Sequence, residues 1–118
     1  MRAEVRRFHS PDILNLVTYQ PEDPQVFGFL LQVLAGPDDG PGEESFDIVV
    51  CSPRWLASDL GDNGMRWGRH YLLVERYDWP SLKRFVAEHF EAVEGDTWRD
   101  VAELLGRFGR WEFEDYVL

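Results

Sequence analysis

The stretch that decides the fold runs Glu44-Ser45-Phe46-Asp47-Ile48-Val49-Val50-Cys51-Ser52-Pro53-Arg54-Trp55-Leu56-Ala57-Ser58-Asp59. Its first half alternates, with Phe46, Ile48 and Val50 on one side, and this period of two predicts a strand. Val49 and Cys51 are also apolar, so we expect the end of the strand to be covered on both faces. Ser52 suits a helix N-cap and Pro53 the first helical position, which predicts a short helix directly after the strand.

Hydrophobic periodicity predicts the other elements around this strand-to-helix corner. In chain order they are strands over residues 2–9, 26–35 and 44–51, a helix from 53, a strand over 69–77, helices over 82–90 and 98–108, and a final strand or extended arm from 110. Residues 13–19 could form a strand extension or a turn of helix, and extended structure is the favoured prediction. The turn-rich segment 36–42 predicts a long β-hairpin, and its length indicates a mobile or functional tip.

The order of these elements predicts the fold class. It is an α+β domain with a mainly antiparallel sheet and two or three helices packed on one face. The 118 residues suit a single domain over positions 1–118, and 44% hydrophobic residues are enough for one core.

The charge distribution points towards a basic partner. The net charge is −10, and between Arg7 and Arg54 there is no lysine or arginine. That interval holds eight acids, namely Asp12, Glu22, Asp23, Asp38, Asp39, Glu43, Glu44 and Asp47. Such a surface disfavours nucleic acid and anionic membranes as ligands, because phosphate attraction requires cationic side chains. It equally suits a protein that merely stays soluble.

Cysteine content and the N-terminal sequence predict a cytoplasmic protein. Cys51 is the single cysteine, so an intramolecular disulfide is excluded. The charged start of the chain lacks the apolar stretch of a signal peptide, and no apolar run is long enough to span a bilayer.

Catalytic patterns in the sequence are weak. Cys51 could pair with His9, His70 or His89, but an apolar strand raises a thiol pKa. Glu112 and Glu114 share one side of the predicted final strand, as a glycosidase pair would, yet nothing else indicates a sugar cleft. The acids of the hairpin, Asp38, Asp39, Glu43 and Glu44, could gather a hard cation. This leaves a small metal-dependent hydrolase, or another enzyme that uses the acidic loop, as an alternative function.

Several short segments, taken in order along nearly the whole chain, resemble the bacterial immunity protein 8 family. They are His9-Ser10-Pro11-Asp12, Pro21-Glu22-Asp23-Pro24, Phe27-Gly28-Phe29-Leu30-Leu31-Gln32, Gly42-Glu43-Glu44-Ser45-Phe46-Asp47, Cys51-Ser52-Pro53-Arg54-Trp55-Leu56, Gly68-Arg69-His70-Tyr71-Leu72, Gly95-Asp96-Thr97-Trp98 and Trp111-Glu112-Phe113-Glu114-Asp115-Tyr116.

The resemblance implies a non-enzymatic antitoxin. Proteins of this kind accompany the toxins of polymorphic toxin systems, and they neutralise a cognate toxin domain by binding it in the cytosol of the producing cell. It implies no cofactor, no metal and no catalytic residues. No toxin-contact residue is carried over from the family.

Charge then gives a hypothesis for the contact surface. Toxin domains are often nucleases, which are basic because they grip phosphate, so an acidic surface would attract them. The predicted toxin-binding residues are Glu22, Asp23, Asp38, Asp39, Glu43, Glu44 and Asp47. The second-choice contact surface is the C-terminal arm, with Trp111, Glu112, Glu114, Asp115 and Tyr116.

Self-association is a third reading of the sequence. Exposed aromatic residues in the C-terminal arm could contact either a second copy of the chain or a toxin. The sequence leaves the oligomeric state open.

Overall fold

A computed structural model describes residues 1–115 of the chain. The elements, in chain order, are β1 (Ala3–His9), β2 (Gly28–Pro37), β3 (Glu44–Cys51), α1 (Pro53–Asp59), β4 (Tyr71–Leu73), α2 (Trp79–Glu91), α3 (Trp98–Leu105) and β5 (Arg110–Trp111). This order matches the predicted one, and the α+β class is confirmed. No helix within the described residues is long and apolar enough to cross a membrane.

Strand β3 lies in the middle of the sheet. It pairs antiparallel with β2 along its whole length, while its other edge pairs with β5 near the start and with β4 at the end. Phe46, Ile48 and Val50 are buried against the helices, as the alternation predicts. Cys51 is also fully buried, which confirms that the end of the strand is covered on both faces.

The β3–β4 pair is parallel, and it makes the sheet mixed. Helix α1 connects the two strands as a crossover, which is the connection that parallel neighbours require. The predicted strand over residues 69–77 was too long, because only Tyr71–Leu73 pairs. The chain enters this strand through His70 at a φ of 67°. It then leaves the sheet, and the Tyr77 N–H bonds the Pro24 carbonyl at 3.0 Å.

Helices α2 and α3 cover one face of the sheet. The Phe46 ring meets Phe90 of α2 at 5.7 Å and Trp98 of α3 at 6.4 Å between centroids. Helix α1 lies on the opposite face at one end, where the Trp55 ring covers Gly28. The predicted cap is confirmed, since the Ser52 hydroxyl accepts from the Trp55 N–H at 3.2 Å. We call the sheet face away from α2 and α3 the open face.

Strand β1 contains an irregularity that the sequence did not reveal. Its register with β2 shifts between Val5 and Arg7, which is the signature of a β-bulge. The predicted alternation put Phe8 on the side opposite Val5. The extra residue turns Phe8 to the same side as Val5, and both pack against the core. Arg7 is left exposed.

The extended structure favoured for residues 13–19 is wrong, and the segment forms a turn, in which the Tyr19 N–H donates to the Asn15 carbonyl at 2.9 Å. The Asn15 side chain accepts from the Val17 and Thr18 N–H groups at 2.9 and 3.2 Å, which closes a turn. The Tyr77 hydroxyl donates to the Leu16 carbonyl at 2.7 Å and holds the segment on the core. Burial, with smaller effects from Tyr19 and Asp78, raises the pKa of Tyr77 to about 12, so this phenol keeps its proton.

Two predicted features of the C-terminal helices also differ. Helical spacing from Leu82 predicts that Phe85 and His89 lie on the buried side of α2, but both are exposed. A glycine directly after Phe108 predicts Gly109 as the C-cap of α3, whereas Gly106 is the C-cap. Gly109 instead lies against β3, where an added Cβ would be 3.0 Å from the Ile48 side chain. Its small size, not its backbone freedom, is what this position requires.

Replacement of Gly36 by alanine tests how closely the hairpin packs. A Cβ at Gly36 would lie 2.0 Å from the Gly42 carbonyl oxygen, so the backbone of the hairpin must move. We expect Gly36→Ala to lower the free energy of unfolding by about 1–3 kcal/mol, measured by urea denaturation. Gly40→Ala is the matched control, because its Cβ would be 3.8 Å from the nearest atom. Equal stability of the two variants would contradict this packing.

Candidate functional site

The loop between β2 and β3 is held in place by Arg6. The guanidinium of Arg6 donates to the carbonyl oxygens of Pro37 and Gly40, both at 2.7 Å, and of Gly42 at 3.3 Å. These three bonds fix the loop from the bulged part of β1, so the contacts favour a rigid tip over a mobile one. No local sequence signal pairs residue 6 with residues 37–42, and Arg6 was therefore missed.

The acids of this loop differ in the hydrogen bonds and ion pairs that they already form within the protein. Asp38 accepts from the Arg2 N–H at 3.0 Å but stays exposed, and Asp39 is exposed. Glu43 forms an ion pair with Arg7 at 2.8 Å and is exposed as well. These three carboxylates lie together on a fixed loop and remain accessible to a partner.

The Glu44 carboxylate forms its hydrogen bonds within the protein. One of its oxygens, Oε1, accepts from the indole N–H of Trp98 at 2.6 Å and from that of Trp111 at 3.1 Å. One carboxylate thereby joins β3, α3 and β5. These contacts give Glu44 a structural role, although it was predicted as a toxin contact.

Asp47 is half-buried on the open face. It lies between Gln32 of β2 and Arg110 of β5, and its Oδ1 is shielded from solvent without a hydrogen-bond partner among residues 1–115. Arg110 is exposed and forms no ion pair with any residue that the structure describes. Asp47 is therefore less accessible than the acids of the loop.

Glu22 and Asp23 lie away from the hairpin. They precede β2, whose ten residues span roughly 30 Å before the loop begins. Asp23 accepts from the Gln25 N–H at 2.9 Å in a turn of its own. The seven acids predicted as one surface are thus not brought together, since these two lie near the opposite end of the sheet.

The C-terminal arm, residues 110–115, lies directly beside the hairpin. The Glu112 carboxylate accepts from the Ser45 N–H at 2.8 Å, and the Glu112 N–H donates to the Ser45 carbonyl at 3.1 Å. Only Arg110–Trp111 forms a strand, and a turn follows through Asp115. Tyr116, part of the second-choice surface, lies outside the described residues. The first-choice and second-choice surfaces are therefore neighbours.

Four exposed carboxylates define what we call the acidic surface: Asp38, Asp39, Glu43 and Glu112. Two of them, Glu43 and Glu112, line a depression of about 420 Å³ on the open face. Gln32, Ser45 and His9 also line it. Arg7 contributes the cation that Glu43 already pairs with. This arrangement offers carboxylate oxygens to a cationic protein surface.

The residues that were weighed for catalysis are engaged in other contacts. His9 bonds the Gln32 amide oxygen at 2.8 Å, and His70 and His89 bond the backbone oxygens of Gly106 and Phe85 at 2.7 and 2.8 Å. Burial is the main cause that raises the pKa of the Cys51 thiol. Within the described part of the chain, no group of three or more His, Cys, Asp or Glu side chains could hold a metal ion.

The structure thus defines a small α+β domain with an acidic surface suited to binding another protein. A sequence model of the family described as "Immunity protein 8" matches residues 3–116. The chain belongs to this immunity protein family, as the ordered segments predicted. No solved structure matches it.

Neighbouring glutamates provide a test of the role assigned to Glu44. Glu44→Ala leaves two half-buried indole N–H groups without their acceptor, and we expect a loss of about 2–3 kcal/mol in unfolding free energy. Glu43→Ala removes only an exposed ion pair and should cost less than about 1 kcal/mol. Urea denaturation followed by tryptophan fluorescence measures both. Similar losses for the two variants would contradict the structural assignment of Glu44.

Proposed function

We propose that this immunity protein neutralises a cognate toxin domain by binding it, without catalysis and without a cofactor. Membership of the immunity protein family supports the general role. The fixed, exposed acidic surface supports the mode of action, because Asp38, Asp39 and Glu43 sit on a loop held by three hydrogen bonds from Arg6, and Glu112 is fixed by the Ser45 N–H. A surface that is already ordered loses little conformational freedom when a partner binds.

The proposed partner is a basic toxin domain, for which a nuclease is the leading candidate. A nuclease presents cationic side chains to phosphate, and the acidic surface offers carboxylate oxygens to the same groups. The net charge of −10 favours long-range attraction to such a domain. Complementary charge mainly raises the association rate, which suits an inhibitor that must act before the toxin does. We place this encounter in the cytoplasm of the producing cell.

Among the acids named from the sequence, we propose the loop carboxylates and Glu112 as the primary contacts. Asp47 lies on the open face but is half-buried, and the Glu44 carboxylate is occupied by its hydrogen bond with Trp98. Glu22 and Asp23 belong to the far end of β2 and would touch only a large partner. The main support for this proposal is that the C-terminal arm lies beside the hairpin, where the Glu112 carboxylate accepts a hydrogen bond from the Ser45 N–H.

Charge reversal tests the proposed acidic contacts. We expect Asp39→Lys/Glu43→Lys to slow association with the proposed toxin domain by roughly tenfold at low salt, and to weaken the salt dependence. The probe is the C-terminal domain of the product of the neighbouring upstream gene. The measurement is association kinetics on an immobilised toxin domain at several ionic strengths.

A matched variant separates position from net charge. Glu75→Lys/Glu88→Lys makes the same change of charge at exposed acids beyond the other end of β3 and on α2. It should slow association clearly less than the loop variant. Equal slowing would mean that only the overall charge matters, and no slowing by either variant would place the contact elsewhere.

A further inference from the structure

The loop between α1 and β4 displays large apolar side chains to solvent. Trp67 is 94% exposed, Met65 73% and Leu73 at the end of β4 56%. All three line one depression of about 490 Å³, together with Leu56 and Leu60 of α1. Leaving a tryptophan almost wholly in water forgoes a large hydrophobic gain, and contiguous patches of this kind commonly mark interaction sites.

The loop is held in shape by Arg66, which lies between the two exposed residues. Its guanidinium bonds the Asp59 carboxylate at 2.7 Å, the Asp59 carbonyl at 2.8 Å and the Tyr71 hydroxyl at 3.2 Å. These contacts tie the Arg66 side chain to the end of α1 and to β4, while Met65 and Trp67 on either side remain exposed. The apolar side chains are therefore presented from an ordered loop, which lowers the entropy cost of binding.

The apolar patch continues into the acidic surface through the C-terminal arm. Arg69 of the loop forms an ion pair with Glu114 of the arm at 2.8 Å. Two residues earlier in the arm, Glu112 bonds Ser45 at the base of the hairpin. The open face gives a second connection, because Tyr71 pairs with Val49, two residues from Asp47 on the same side of β3.

The charges of the loop do not oppose the same basic partner. The two arginines of the loop are already neutralised, Arg66 by Asp59 and Arg69 by Glu114. A basic domain seated on the acidic surface would thus meet an apolar patch without repulsion from unpaired cations of this loop. A stable interface needs about 800 Å² from each partner, more than four carboxylates supply, and its affinity usually depends on a few aromatic anchors.

We propose that Met65, Trp67 and Leu73 form the apolar anchor of the toxin interface, with the Trp67 indole seated in an apolar pocket of the toxin domain. This inference rests on the proposed function. In it, the acidic surface governs how fast the complex forms, and the anchor governs how long it lasts.

The test is the dissociation rate of the complex with the proposed toxin domain, for which the probe is the C-terminal domain of the product of the neighbouring upstream gene. We expect Trp67→Ala to weaken binding by about 30-fold, mainly through faster dissociation. Leu14→Ala is the control, since Leu14 is fully exposed on the segment after β1, outside the patch. It should leave the rate within twofold. Both variants should keep the thermal midpoint of the wild type, because neither side chain is buried.

The outcomes separate the anchor from the proposed function. If the wild type binds but Trp67→Ala dissociates at the wild-type rate, the anchor is wrong and the proposed function stands. If the wild type does not bind, both fail. A Trp67→Ala variant that melts markedly earlier would show a structural role and overturn the anchor. Light scattering tests whether the patch instead binds a second copy of the chain. A wild-type homodimer that is lost in Trp67→Ala, with unchanged toxin binding, would assign the patch to self-association and overturn the anchor.

Discussion

The pairing of β3 on both of its edges is the constraint on which the rest of the structure depends. β2 takes one edge completely, so β5 and β4 must share the other, one after the other. That division brings the C-terminal arm beside the hairpin and the Trp67 loop beside the arm. Glu44 reinforces the pairing of β3 with β5, because one of its carboxylate oxygens accepts hydrogen bonds from the indole N–H groups of both Trp98 and Trp111. The proposed interface therefore follows from how the edges of one strand are filled.

The two halves of that interface use different physics. Exposed carboxylates act over a Debye length of about 8 Å at physiological salt, and each pair adds little once contact is made. A buried indole acts only at contact, yet it removes a large apolar area from water. An inhibitor needs both rapid capture and a long-lived complex, and the chain supplies each from a separate segment. In both segments an arginine, Arg6 or Arg66, holds the loop through backbone carbonyls.

Local sequence signals predicted much of the fold. The alternation of Phe46, Ile48 and Val50 and the Ser52-Pro53 cap are properties of adjacent residues, and both are confirmed. The features that sequence reasoning missed depend on partners far along the chain. Arg6 reaches a loop more than 30 residues away, and Glu44 meets Trp111 across 67 positions. The bulge in β1 likewise moves Phe8 to the other face of the strand, which a fixed period of two cannot describe.

The candidate site was less predictable than the fold for the same reason. The number of acids in the sequence placed Glu22 and Glu43 on one predicted surface, although β2 separates them. It carried no information on the hydrogen bonds of Glu44 with two indole N–H groups. Trp67 is exposed on a loop that Arg66 ties to Asp59 and Tyr71, and no spacing rule encodes these contacts.

Hydrogen–deuterium exchange of the chain with and without its toxin domain would show which segments the partner covers. We expect slower exchange on binding in the hairpin loop, the loop around Trp67 and the C-terminal arm, with little change on the outer face of α2. Protection confined to α2 and the segment after β1, with the hairpin loop and the Trp67 loop unchanged, would contradict the proposed interface.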